Sequence, residues 1–145
     1  MKKLFAIIIL GVLLSACSGV STKDKDYMQI VLNNELRDSY SQENIPVMFV
    51  NAELKKIEKK ESYLGGKYMG TFGCSFEQNG DKIYMAGAVA FDDNMEVSKM
   101  PERYGNNKIA IDISVLTINN KPIKKISENK YILNRFINRN NLQEK

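Results

Sequence analysis

Histidine is absent from this sequence, as is tryptophan, and only two cysteines and three prolines occur in its 145 residues. Without histidine the chain lacks the commonest general base and metal ligand, and every serine–histidine arrangement is excluded. Tetrahedral zinc would need thiolates that are also missing. The expectation is therefore a protein with no metal, no other cofactor and no enzymatic activity of a familiar kind. Long apolar runs are missing too. The stretch from Leu4 to Leu14 has 11 residues, against the roughly 20 that a membrane-spanning helix needs.

That short run is the most informative part of what is present. Lys2 and Lys3 precede it, and Leu14-Ser15-Ala16-Cys17 closes it with small residues directly before a cysteine. A charged start, an apolar middle and a small-residue cleavage site are the layout of a secretory signal. Residues 1–17 resemble a bacterial lipoprotein signal peptide with its lipobox. The resemblance implies cleavage after residue 16, a diacylglyceryl thioether on Cys17, and a mature chain of residues 17–145 anchored to a membrane without crossing it. It also implies a place in the cell envelope. Ser18, where an aspartate tends to retain lipoproteins in the inner membrane, favours the outer membrane of a Gram-negative host.

The resemblance changes the accounting of charge and thiols. Of 21 basic and 17 acidic residues, Lys2 and Lys3 leave with the signal, so the mature side chains carry about +2, too little to argue for a nucleic-acid partner. Cys17 is consumed by lipid, so Cys74 has no intramolecular disulfide partner. In Thr71-Phe72-Gly73-Cys74-Ser75-Phe76, period-two alternation puts Phe72, Cys74 and Phe76 on one face, and a buried, inert thiol is expected.

The 129 residues of the mature chain suffice for one core. Residues 17–26 read as a short polar tether, residues 27–138 as a single α+β domain, and residues 139–145 as a polar tail. Met28, Leu32, Leu36 and Tyr40 recur every four residues, which predicts an amphipathic helix over 26–40. Val47 to Val50 reads as a strand. Ala52 to Leu64 fits either a helix stopped by Gly65-Gly66 or a continuation of that strand, and the isolation of Val47–Val50 favours one long strand.

Gln78-Asn79-Gly80-Asp81 lies between two runs rich in aromatic, β-branched and small residues, the signature of a tight hairpin over 67–91. Its glycines and alanines point to a bulge or to close approach by another element. Residues 92–107 read as a loop. Ile109, Ile111, Ile113 and Val115 alternate along a further strand, and Asn119-Asn120-Lys121-Pro122 turns the chain into 123–126. Ser127 caps an expected closing helix through Asn138. The sum is an N-terminal helix packed on an antiparallel sheet of about four or five strands. This order is similar to that of cystatin-like curved sheets, a likeness that implies no function.

Carboxylates are the remaining chemistry. Asp92-Asp93-Asn94-Met95-Glu96 spaces oxygen ligands as a calcium loop does, but Val97 and Ser98 follow where the EF-hand needs glycine and later glutamate, so a solvated acidic turn is expected. Asp112 should face away from Ile111 and Ile113, as an exposed or hydrogen-bonded structural aspartate. Lys55, Lys56, Lys59, Lys60 and Lys67 form one basic cluster. Lys121, Lys124, Lys125, Lys130, Arg135 and Arg139 form a second, which offers a surface for an acidic partner or anionic lipid.

The function expected is a non-enzymatic protein-binding accessory in the envelope: an assembly, secretion-accessory or exclusion factor. The alternative is a small-ligand or lipid-binding module lined by the hairpin over 67–91, and a carboxylate-only enzyme stands third.

Overall fold

The computed structural model describes residues 19–41, 47–78, 80–105, 107–123 and 137–138, with side chains left undescribed at 39–41, 47–50, 78 and 137–138. Among these residues one α-helix, α1 (Thr22–Ser41), precedes the strands β1 (Val47–Glu58), β2 (Tyr68–Gln78), β3 (Asp81–Phe91), β4 (Ile111–Ile118), β5 (Lys121–Pro122) and β6 (Ile137–Asn138). Strands β1 to β5 follow one another as antiparallel neighbours in one sheet, and β6 pairs with β4 in parallel. This is the α+β fold that the residue pattern predicts.

Helix α1 begins four residues before the expected Asp26. Ser21 supplies the reason: its Oγ accepts the Asp24 backbone N–H at 3.1 Å, an N-cap one turn upstream of the apolar stripe. Val20 is buried in the core. Residues 20–26, expected to be tether, are therefore part of the folded body. Met28, Leu32 and Leu36 have no exposed surface, and burying each stabilises the fold by roughly 1.5–3 kcal/mol. They meet Ala52, Leu54 and Ile57 of β1, Phe72, Cys74 and Phe76 of β2, and Ile83, Met85 and Val89 of β3 in one cluster.

Strand β1 settles the choice left open at 52–64: it runs to Glu58, and the segment is strand and turn, not helix. A bulge between Leu54 and Lys56 shifts the register, so that Ile57 rejoins the buried face that Ala52 and Leu54 began. The hairpin of β2 and β3 pairs without a register shift from Tyr68↔Phe91 to Gln78↔Asp81. In the following hairpin Asn119 and Asn120 both take positive φ, 50° and 65°, so they form the turn and Lys121-Pro122 already belongs to β5. The closing helix expected over 127–138 lies outside the described residues except at its end. There Ile137-Asn138 is strand, paired with Asp112 and Ile113, so the helix does not reach Asn138.

Among the described residues no strand pairs with the outer edge of β1, and side chains of α1 close it at Ala52 and Leu54. Gln29 and Asn33 stand one turn apart on α1. The Asn33 amide donates to Ala52 O at 2.9 Å and accepts from Ala52 N at 2.7 Å, and Gln29 Oε1 accepts from Leu54 N at 3.1 Å. Asn33 thus reproduces both bonds of a neighbouring strand at one residue. Asn33→Ala removes both while leaving the partly buried backbone groups without partners, and is expected to cost about 2 kcal/mol. Asn34→Ala, on the exposed side of the helix, should change stability by less than about 0.5 kcal/mol. Urea unfolding of the two variants checks the difference.

Candidate functional site

The sheet has a second face, turned away from α1, and its two halves differ. On the half near the start of β2, Ala90 and Ala110 are buried beneath Leu64 and Met100, with Tyr63, Ala88 and Tyr104 packed around them. Small residues are required here because segment 59–67 and segment 92–110 lie directly on the strands. Gly87 is required for a different reason: a Cβ there would fall 2.0 Å from Asp112 O of the neighbouring strand β4, at the bulge where Ala86 faces Val115 and Gly87 faces Ile113. Gly66, with φ +79°, admits no side chain either, since Phe91 O and Ser98 Oγ would both lie 2.6 Å away. The glycines and alanines of the hairpin thus serve bulges and an overlying layer.

Asp112 lies under that layer. It faces away from the core, as its place in the alternation requires, but it is 2% exposed, and Tyr63 Oη donates to its Oδ2 at 2.5 Å. Arg103 Nη2 donates to Tyr63 O at 3.3 Å, and its guanidinium stacks 4.9 Å from the Tyr104 ring centre. The contact pins segment 59–67 to β4, which makes Asp112 a hydrogen-bonded structural residue.

Among the described residues nothing covers the other half of this face. Ser75, Tyr84 and Thr117 stand side by side across β2, β3 and β4, and Glu77 stands opposite Lys82. Together with Asn120 they line a solvent-facing groove of about 510 Å³, within the range of ligand and peptide sites. Among the described residues Tyr84 and Val115 are two of the large apolar side chains left exposed. The groove wall is fixed by Asn119, whose Oδ1 accepts Lys82 N at 2.9 Å and whose Nδ2 donates to Asp81 Oδ1 at 2.9 Å. One side chain therefore ties the β4–β5 turn to the start of β3.

The charged clusters divide in a similar way. Lys56 and Lys60 both pair with Glu58, at 3.0 and 3.4 Å, and hold its carboxyl below the ordinary range. Lys67 pairs with Asp93 at 2.8 Å, which raises its ammonium above the ordinary range. The first lysine cluster is thus partly neutralised within the fold. Of the second, Lys121 is exposed on β5 beside the groove residue Asn120; Lys124, Lys125, Lys130, Arg135 and Arg139 lie outside the described residues, as do Leu14, Ser15, Ala16 and Cys17. The acidic turn is built on its own backbone: Asp92 Oδ1 accepts Asn94 N at 2.8 Å and Glu96 N at 3.1 Å, while Tyr27 donates to Glu96 at 2.7 Å. The groove and the Tyr63–Asp112 contact were not legible in the sequence, because both join residues more than 30 positions apart.

Cys74 is 1% exposed between Phe72 and Phe76. Burial pushes its thiol up from 9.0 to about 12, which removes the thiolate needed for reactivity. Comparison with protein-family models, curated proteins and solved structures returns no match.

Three outcomes follow from these contacts. Cys74 should resist maleimide at neutral pH in the native protein and react on unfolding, as read by mass spectrometry. Its folded value lies above its unfolded one, so the thiol's contribution is complete below about pH 9 and declines by about 1.4 kcal/mol per pH unit toward pH 12; Cys74→Ala should flatten that part of the alkaline stability curve. Tyr63→Phe should cost about 1–3 kcal/mol in denaturant unfolding, because it takes a donor from a buried carboxylate.

Proposed function

We propose that this chain is a membrane-anchored envelope lipoprotein that acts as a non-enzymatic protein-binding accessory. The observation that carries the reading is Leu14-Ser15-Ala16-Cys17 closing an apolar run behind Lys2 and Lys3, because it supplies both an export signal and a lipid attachment point. The absence of histidine narrows the chemistry available to a catalyst. Among the described residues no helix is long and apolar enough to cross a membrane; the anchoring proposed is through the lipid on Cys17.

The open half of the outer face supports the binding part of the proposal. Exposed Tyr84 and Val115, small neighbours and a groove braced by Asn119 offer a preformed surface with an aromatic anchor, the kind of residue that dominates protein interfaces. Lys121 at its margin favours a partner with acidic groups. The small-ligand reading keeps one supporting observation, the volume of that same groove. It draws nothing from the inner face of the sheet, where Met28, Leu32, Leu36, Phe72 and Met85 fill the space.

In cells, Cys17→Ser should abolish palmitate labelling and release the protein from the membrane fraction. Continued membrane association of an unlabelled Cys17→Ser protein would contradict lipid anchoring. A partner recovered by crosslinking should be lost from Tyr84→Ala and Lys121→Glu while both variants stay folded. Small-molecule mass retained on mild extraction, with no partner affected by either variant, would favour the ligand module instead.

A further inference from the structure

The path of the chain out of the folded body sets how that body meets the bilayer. Val20 is buried, and a Cβ on Gly19 would sit 3.1 Å from Cβ of Lys59, so the backbone leaves the domain beside the turn after β1. Only two residues, Ser18 and Gly19, separate Val20 from Cys17, a span of at most about 11 Å when extended. Helix α1 runs antiparallel to β1: Gln29 meets Leu54 and Asn33 meets Ala52. The helix start, the end of β1 and the start of β2 therefore share one end of the domain. The groove lies toward the other, seven to nine residues along β2 from Tyr68, roughly 25 Å at the rise of a strand.

We infer that the corner formed by Gly19, Lys59 and Lys60 lies against the headgroups of the membrane that holds Cys17, with the groove at Ser75, Tyr84 and Thr117 directed away from it. This rests on the lipidation reading. Charge sets the tilt. Lys59 and Lys60 beside the chain exit are exposed cations, whereas the acidic Asp92–Glu96 turn, held to α1 by the Tyr27–Glu96 hydrogen bond, follows β3, two strands across, about 10 Å from the end of β1. An anionic surface attracts the first corner and repels the second. The groove is then presented to the aqueous compartment, where a partner can reach it.

The test uses full-length protein purified from membranes, its mass first read for the diacylglyceryl group, then placed in nanodiscs of phosphatidylcholine and phosphatidylglycerol carrying a paramagnetic headgroup chelate. Amide relaxation enhancement should be several-fold stronger at Gly19 and at Lys59 to Glu61 than at Gly80 and at Asn119 to Lys121, with Asp92 to Glu96 between them. Lys59→Glu with Lys60→Glu should narrow the gap between the two corners. Lipidated protein with a flat or reversed gradient would overturn the orientation alone; a mass without lipid would overturn the anchoring on which it rests.

Discussion

Closure of the β1 edge by α1 is the contact on which the rest of the molecule depends. A strand at the edge of a sheet offers unpaired N–H and C=O groups to any passing chain. Here the Asn33 amide takes both groups of Ala52, and Gln29 takes the Leu54 N–H. The same helix lays Met28, Leu32 and Leu36 over the sheet. Burial supplies the larger energy, since three apolar side chains contribute more than three hydrogen bonds that replace bonds to water. The amides supply register: sliding α1 along β1 would leave the helix apolar contacts partly intact but would unpair Ala52.

The opposite face follows from side-chain size. Alanine at 88, 90 and 110 and glycine at 66 let segments 59–67 and 92–110 lie close to the strands, and Tyr63 fastens that layer to the buried Asp112. Where the layer stops, the face is open and Tyr84 and Val115 remain exposed. Among the described residues, one meander thus has a helix on one side, a partial cover on the other, and an uncovered region at the end remote from the chain's entry. A protein held by a lipid at Cys17 would carry that region away from its anchor.

Local signals foretold most of the elements. The β2–β3 hairpin, the stripe Met28-Leu32-Leu36 of α1 and the alternation Ile109-Ile111-Ile113 are each determined by neighbours in sequence, and they correspond to real elements. Val115, expected on the face of Ile113, is carried to the opposite face by the bulge in β4, and Leu116 takes the core position. The helix start was displaced because Ser21, an N-cap, sits inside a segment that reads as polar tether. The end of the closing helix was misread because Ile137-Asn138 pairs with residues 25 positions earlier, and a tertiary pairing of that kind overrides local propensity. The alternation placed Asp112 on its correct face, yet nothing near it announced Tyr63. The need for close approach was legible in the glycines and alanines; which segment approaches was not.

Edge closure can be tested at individual atoms by native-state amide hydrogen exchange. The amides of Ala52 and Leu54 point outward from an edge strand and would exchange like exposed groups if that edge were open. With the edge closed, both should exchange as slowly as the amides of Phe72 and Met85 inside the sheet. Fast exchange at Ala52 and Leu54 with protection elsewhere along β1 would contradict that closure.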